Sequence, residues 1–184
     1  MNFIKYLNEE KDTRELVQNK LNYKKDELNP VISEDTMKYH HDGLASAYFE
    51  RYNAGEGDLD FNYGGAVLHN LYFENLISPQ AANKPKGRSL EVIEAEWGSF
   101  DKFKEAVEKE AMAIQGSGWV YMDYDAKLHT IVNHEYKKSM KIALLIDWWE
   151  HSWALDYQQD KAKYLKNIWR IINWDVVNQR LEEK

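Results

Sequence analysis

The sequence predicts an α+β protein, in which an N-terminal antiparallel helical hairpin packs on a C-terminal domain with a three-stranded antiparallel sheet flanked by helices. Two observations lead to this prediction. Two segments with the helical spacing of apolar residues, joined by a short loop, lie between residues 33 and 76. Between residues 116 and 147 the spacing changes to that of strands, and helical spacing returns after them.

The hairpin is predicted from its start and stop signals. The first helix runs from Ser33, a residue type favoured at N-caps, to about Arg51. The segment NAGEGDLDFN, residues 53–62, has the Gly, Asp and Asn content of a loop. The second helix follows from about Tyr63 to Leu76, and the proline-containing segment ISPQAANKPKGR ends it.

The second half of the chain alternates between helical and strand patterns. SLEVIEAEWG and SFDKFKEAVEKEAMAIQ have helical periods, and Gly98 with Ser99 forms the break between them. GSGWVYMDYDAKLHTIVNH predicts two strands around a turn at Asp125 and Ala126, and KIALLID predicts a third. WWEHSWALDYQ, KAKYLKNIWRI and NWDVVNQRLEE are predicted as the last helices. The predicted division of the chain is an N-terminal extension at 1–20, a hairpin domain at 21–88 and a C-terminal domain at 89–184.

Composition excludes several classes of protein. The 184 residues are 43% hydrophobic, which is enough for a core, and the net charge of −7 argues against a nucleic-acid partner. The chain has no cysteine, so disulfides, Fe–S clusters and thiolate zinc sites are excluded. No apolar run approaches the roughly 20 residues that span a bilayer, and the N-terminus lacks the apolar core of a signal peptide. We therefore expect a cytoplasmic protein without a membrane partner.

The segment DWWEHSW raises a chemical question. On a helix, Asp147 and His151 share a face, whereas Glu150 points elsewhere. A carboxylate and an imidazole on an apolar face need partners, because burying an unpaired charge is costly. A local Asp–His hydrogen bond is one explanation, and a shared metal ion is the other.

Further histidines favour the metal explanation without deciding it. His40 lies on the first predicted helix and His69 on the second, while Asp147 and His151 lie at the end of the third strand and the start of a helix. Packing of the hairpin against the sheet would bring all four together. Three imidazoles and one carboxylate suit iron, manganese or zinc. The alternative is a set of ordinary, satisfied histidines in a helical core.

Five motifs together resemble the iron/manganese superoxide dismutase family. DTMKYHHDGLASAYFERYN and GGAVLHNLYFENL resemble its two metal-binding helices, and WGSFDKFKEAVEKEAMAIQGSGWVY resembles its run through GSGW. IDWWEHSWALDY matches the signature DxWEHxxxxxY, and YLKNIWRIINWDVVNQR resembles the final helices. The resemblance extends from about Leu21 to Arg180.

The resemblance implies a mononuclear iron or manganese site that disproportionates superoxide to dioxygen and hydrogen peroxide in a homodimer. A redox-inert zinc would not serve this chemistry. A solvent molecule is implied as fifth ligand, Tyr48 as the gateway beside the substrate path, and Trp119 and Trp149 as aromatic walls. Glu150 is implied to cross the dimer interface and bond a ligand histidine of the other subunit. The implied protein ligands of one ion per chain are His40, His69, Asp147 and His151.

The sequence departs from the family at a hydrogen-bonded pair and at a glutamine. The usual second histidine of the first helix is Leu44 here, and its usual tyrosine partner is Ala154, so both ends of one hydrogen bond are missing. Iron-type members carry a glutamine at the position of Gly65, and manganese-type members carry one in the sheet, where this chain has His134. His134 is therefore predicted to replace that glutamine and to permit either metal, with a surface histidine as the alternative.

The departures leave other functions open. Lys161 stands where the family has a funnel arginine, and it is predicted to attract the anionic substrate. His41 and His129 are predicted to be surface histidines without a role. One alternative is a catalytically impaired family member that acts as a metal-binding or structural interaction module. Another is an iron protein that uses dioxygen, but four protein ligands plus solvent leave too few open positions for it.

Overall fold

The structure is a computed structural model, and it describes residues 15–183 of the chain. This part contains the predicted helical hairpin. Its first arm consists of helix α1 (Glu34–Met37), a wider π-helical segment (Lys38–Ala45) and helix α2 (Ser46–Ala54). The predicted cap is confirmed, because the Ser33 hydroxyl accepts a hydrogen bond from the backbone N–H of Thr36 at 3.1 Å.

The loop of the hairpin is shorter than the sequence predicts. Helix α3 spans Leu59–Glu74, so it begins four residues before the predicted Tyr63. Gly55 ends α2 in the left-handed conformation, with φ 72°, and Asp58 caps α3 through its carboxylate. The loop predicted over 53–62 is therefore confirmed only at 55–58, because Gly55 and Asp58 are the end signals of the two helices.

The sheet has the predicted three strands. They are β1 (Gly118–Met122), β2 (Leu128–Val132) and β3 (Leu144–Asp147), in the order β2-β1-β3 with antiparallel pairing throughout. The register places Trp119 of β1 opposite Asp147 of β3. The central strand β1 is buried along its whole length, because α5 packs on β1 and β2 while α3 packs on β3.

The remaining helices surround the sheet. They are α4 (Arg88–Trp97), α5 (Phe100–Ala113), α6 (Ala154–Tyr157), α7 (Lys161–Ile168) and α8 (Trp174–Glu182). No helix within residues 15–183 is both long enough and apolar enough to cross a bilayer.

The segment after β3 is not the continuous helix that the sequence predicts over WWEHSWALDYQ. Asp147 is the last residue of β3, and a 3₁₀ turn (Glu150–Ser152) precedes the short α6. Asp147 and His151 therefore do not meet as neighbours on one helix. They meet because the chain leaves the sheet and turns back at once.

A buried arginine joins the two halves of the fold. The Arg180 guanidinium, on α8, donates to the Asn75 side chain at 2.8 Å, to the Leu71 carbonyl at 3.0 Å and to the Glu74 carboxylate at 3.0 Å. The predicted boundary at 88/89 falls at the first residue of α4 and stays a prediction. Of the predicted extension 1–20, residues 1–14 lie outside the described part of the chain.

Candidate metal centre

Four side chains from four different elements converge in the core. His40 comes from the π-helical segment, His69 from α3, Asp147 from the end of β3 and His151 from the 3₁₀ turn. One ligand atom from each residue lies within 4.8 Å of all the others. Three of the residues are fully buried, and the His151 side chain is 10% exposed. The fold thus brings together the four residues that the sequence singles out.

The carboxylate of Asp147 lies at the centre of this group. Its Oδ2 is 3.2 Å from Nε2 of His40, 3.4 Å from Nε2 of His151 and 3.9 Å from Nε2 of His69. Its Oδ1 accepts a hydrogen bond from the backbone N–H of Trp149 at 2.8 Å. One carboxylate oxygen is therefore held by the protein, and the other faces the three imidazoles.

Hydrogen bonding also orients one of the imidazoles. Nδ1 of His69 lies 2.6 Å from the carbonyl oxygen of Gly65, one helical turn earlier. A carbonyl only accepts, so Nδ1 carries the proton and Nε2 of His69 keeps a free lone pair. This is the tautomer that a metal ligand needs, with its second nitrogen fixed by the backbone.

The four converging atoms have no hydrogen-bond partners among residues 15–183. Nε2 of each of the three histidines and Oδ2 of Asp147 are buried, and their mutual approaches are not aligned as hydrogen bonds. Buried polar atoms without partners are costly, and a cation bound by all four would satisfy them at once. The geometry therefore favours a metal ion over the local Asp–His hydrogen bond, and a donor set of three nitrogens and one oxygen fits iron or manganese.

Burial keeps the donors in the protonation state that binds a cation. It lowers the pKa of His40 to about 4 and the pKa of His69 well below its ordinary value, so both imidazoles are neutral at pH 7. Burial alone would raise the pKa of Asp147, but the facing imidazoles of His151 and His40 outweigh it and hold that pKa well below its usual range. The site therefore offers neutral lone pairs and one negative charge.

His134 lies beside this group and not on the surface. His134 is only 2% exposed. Its Nδ1 accepts a hydrogen bond from the Trp119 indole at 3.2 Å, and its ring stacks on Trp149 with the ring centroids 4.4 Å apart. The surface alternative for this residue is wrong. Burial lowers the pKa of His134 to about 4.

Gly65 of α3 lies against the rings of Tyr48 and His134, which leave no room for a side chain at position 65. A Cβ at position 65 would lie 2.8 Å from Cγ of Tyr48 and 3.1 Å from Cδ2 of His134. Distances below 3.0 Å are not tolerated without movement, so the Tyr48 ring already occupies the space that a side chain at 65 needs. The absence of a glutamine at 65 and the presence of His134 are thus two parts of one packing arrangement.

Tyr48 packs against His69 of the converging group and against His134. Its ring lies 5.3 Å from the ring of His69 and 4.7 Å from that of His134, measured between centroids. Burial, with a smaller contribution from Asp147, raises the pKa of Tyr48 to about 12. The phenol therefore keeps its proton at neutral pH.

Sequence reasoning missed three aromatic neighbours of the site. Phe61 lies 4.7 Å from the His134 ring, and it was assigned to the loop. Tyr72 and Phe73 lie 5.6 and 4.9 Å from the His40 ring. The last two could have been found, because they follow His69 by three and four residues on α3 and share its face.

Other predicted residues lie at the edge of the site or outside it. Glu150 is exposed, and Nζ of Lys161 lies over the Trp148 ring, 5.3 Å from its centroid. His129 is on the surface as predicted, paired with Asp123. The remaining three, each half-buried, are His41, Leu44 and Ala154.

Comparison with known proteins identifies both parts of the fold. The family model described as iron/manganese superoxide dismutases, alpha-hairpin domain, matches residues 15–57. The model described as iron/manganese superoxide dismutases, C-terminal domain, matches residues 85–180. The first match begins six residues before the predicted hairpin domain.

Whole-length relatives agree with the two family models. The chain is 33% identical to superoxide dismutase (Mn/Fe) of Porphyromonas gingivalis over 192 residues, covering 91% of this chain and 99% of the relative. It is also 33% identical to superoxide dismutase (Fe) of Bacteroides fragilis, covering 88% and 97%, and to superoxide dismutase (Mn) of Corynebacterium diphtheriae, covering 88% and 94%. The metal in the names of similar proteins therefore varies between iron, manganese and both.

Proposed function

The chain belongs to the iron/manganese superoxide dismutase family, and we propose that His40, His69, Asp147 and His151 hold the one iron or manganese ion at which it disproportionates superoxide. The observation that supports this ligand set is the convergence of four buried donor atoms without hydrogen-bond partners among the described residues. Two superoxide ions and two protons give one dioxygen and one hydrogen peroxide. A bound iron or manganese ion supplies the one-electron redox chemistry for both halves of this reaction.

The protein contributes the fixed donors and the route for protons. The neutral imidazole of His134 is proposed to donate from Nε2 to a solvent molecule in the site. Its Nδ1 accepts from Trp119, which supports this role because the ring proton must then be on Nε2. Nε2 is buried and has no partner within residues 15–183.

Tyr48 is proposed to form the inner wall of the substrate path. Its phenol stays protonated at neutral pH, so it can donate a hydrogen bond to an anion without adding negative charge. Packing against His69 and His134 places this donor next to both proposed functional groups. Trp119 and Trp149 are proposed to exclude water around them, since both rings pack on His134.

A homodimer is proposed with Glu150 at its interface. This carboxylate is exposed, and it forms no ion pair or hydrogen bond within residues 15–183. Two large apolar residues near the ligands are also exposed, Tyr39 at 52% and Leu155 at 59%. Exposed apolar side chains close in sequence to His40 and His151, together with the exposed carboxylate of Glu150, support a contact with a second copy of the chain. We also propose that the enzyme works with either metal and that it is located in the cytoplasm.

Metal analysis paired with a superoxide-consumption assay tests the proposal. The wild-type chain is expected to bind about one iron or manganese ion per chain and to consume superoxide. His69→Ala is expected to abolish both, and His129→Ala, which changes a surface histidine, is expected to change neither. A wild-type chain without bound metal, or a His69→Ala variant that keeps it, would overturn the ligand set.

A further inference from the structure

The segment Leu16–Asn19 lies against the helical hairpin, and Asn53 of α2 binds its first residue. Asn53 uses both halves of its side-chain amide on one residue of the segment. Its Oδ1 accepts from the backbone N–H of Leu16 at 2.9 Å, and its Nδ2 donates to the Leu16 carbonyl at 2.9 Å. The amide thus binds the segment as a neighbouring strand would, although no strand is present here.

A second asparagine, on α3, holds the end of the same segment. Oδ1 of Asn70 accepts from the backbone N–H of Asn19 at 2.9 Å, and Nδ2 of Asn70 donates to the Val17 carbonyl at 3.0 Å. Asn70 directly follows His69. The segment is therefore attached to both arms of the hairpin, by two side-chain hydrogen bonds on each arm.

Two further bonds attach this part of the chain close to the proposed ligands. The Gln18 side chain donates to the carbonyl of His41, the residue after His40, at 2.8 Å. The Tyr23 hydroxyl donates to the carbonyl of Phe73 at 3.0 Å. Between these polar contacts Leu16 packs against the small apolar cluster of Tyr48, Phe49 and Ala66.

We propose that the segment Leu16–Asn19 is a brace that fixes the two arms of the hairpin, each of which carries one proposed ligand, relative to each other, and that Asn53 and Asn70 are positioning residues for the metal site. Each asparagine fixes both the position and the orientation of its helix against the segment, because its planar amide donates one hydrogen bond and accepts another. The inference rests on the proposed ligand set, since His40 and His69 are the two ligands that the hairpin supplies. Small displacements of such ligands change how a metal is held.

Asparagine is the residue type that this arrangement requires. Aspartate has the same shape but only accepts, so Asn53→Asp and Asn70→Asp each keep one bond and turn the other into repulsion between two oxygens. Alanine removes both bonds without adding charge. Asn178 provides a matched control, because within residues 15–183 its side chain only accepts a hydrogen bond, from the backbone N–H of Ser89 at 2.7 Å. Asn178→Asp keeps that bond while adding the same charge as each of the other aspartates.

The test uses the full-length chain loaded with cobalt(II), whose visible spectrum reports the geometry of its ligands. The variant Asn53→Asp/Asn70→Asp is expected to shift the visible bands and to release cobalt to excess chelator about tenfold faster than wild type, the factor expected for one or two lost hydrogen bonds. Asn53→Ala/Asn70→Ala is expected to act in the same direction, and Asn178→Asp is expected to match wild type. If the double variants do not fold, the single variant Asn70→Asp is expected to show a smaller shift of the same kind.

Each other outcome has a defined meaning. Unchanged bands and release in a variant whose Leu16 and Asn19 amides exchange freely with solvent would overturn the brace. An effect of the aspartates that the alanines do not reproduce would also overturn it, because charge would then be the cause. A wild-type chain that binds cobalt but does not consume superoxide when loaded with iron or manganese would refute the proposed activity and leave the brace standing. A wild-type chain that binds no cobalt would refute both.

Discussion

The indole N–H of Trp119 donates a hydrogen bond to Nδ1 of His134 across 3.2 Å, inside the core of the protein. An indole only donates, so Nδ1 must accept, and the neutral imidazole carries its proton on Nε2. His134 then offers the site an uncharged N–H donor, which is also what a glutamine amide offers. The sequence predicts that His134 replaces the family's glutamine, and this bond decides which of the two ring nitrogens is the donor.

His134→Gln tests the role of that donor in metal choice. We expect the wild type to be active with either metal, and the substitution to sharpen the preference for one of them, because the amide differs from the imidazole in reach and acidity. The measurement is the activity ratio of the iron-loaded and manganese-loaded forms before and after the substitution. An equal ratio in the two proteins would remove His134 from the site.

The structure changes the pH dependence expected of this residue. An unburied histidine titrates near pH 6.5, and the sequence alone suggests activity that varies there. Burial lowers the pKa of His134 to about 4, so its charge is constant at neutral pH. The activity profile between about pH 6 and 8 should therefore be the same in wild type and His134→Gln.

Gly65 and His134 should show strongly non-additive mutational effects. Gly65→Gln forces a side chain into the space of the Tyr48 ring, so we expect overpacking to destabilise the protein by about 1–3 kcal/mol. Gly65→Gln/His134→Gly removes the contact with His134 and leaves the closer contact with Tyr48, so it should recover part of the loss. Urea denaturation of the four proteins of this cycle measures the coupling. Strict additivity would show that the two residues do not compete for space.

The metal-free protein should lose stability as pH falls from about 6.5 towards 4. His40 and His134 both have a folded pKa of about 4, below the unfolded value, so the unfolded state binds protons first and is favoured as pH falls. Each such histidine contributes up to about 1.4 kcal/mol per pH unit to the slope of the unfolding free energy against pH. Urea denaturation of the metal-free protein at several pH values measures the sum.

One substitution isolates the contribution of His134 to that slope. His134→Gln removes one buried histidine, so the slope should become shallower by the contribution of one proton. Identical slopes in the two proteins would mean that His134 is not held neutral by burial.

The four proposed ligands could be picked out from the sequence because they occur in short, specific motifs, but the way they meet could not. Asp147 and His151 look like neighbours on a helix, whereas a strand end and a 3₁₀ turn bring them together. Phe61 was missed because its surroundings have loop composition, and tertiary packing makes it part of α3. Asn53 and Asn70 carry no local signal, since each amide binds a segment more than 30 residues away along the chain.

Glu150→Ala should weaken a homodimer. Removing one partner of a buried charged hydrogen bond costs about 2–5 kcal/mol, so the dissociation constant should rise by about 30-fold or more. Light scattering over a range of protein concentrations measures the change. Glu105→Ala, on the exposed side of α5, changes the charge equally and should leave the association unchanged. A wild-type chain that is monomeric at micromolar concentration would refute the homodimer.

Lys161→Glu should slow the capture of superoxide. The protein carries a net charge of −7, so an anion gains no attraction at long range, and a local positive charge is needed to draw it in. Lys161 begins α7 and lies over the ring of Trp148, the residue directly after Asp147. We expect kcat/KM to fall by about tenfold at low salt, the low end of the range for electrostatic steering, and by less at high salt, where the charges are screened.

Lys109→Glu makes the same change in net charge on α5, which packs on β1 and β2, and it should have a much smaller effect. Equal losses in the two variants would assign the effect to net charge, and no loss in either would remove Lys161 from the substrate path.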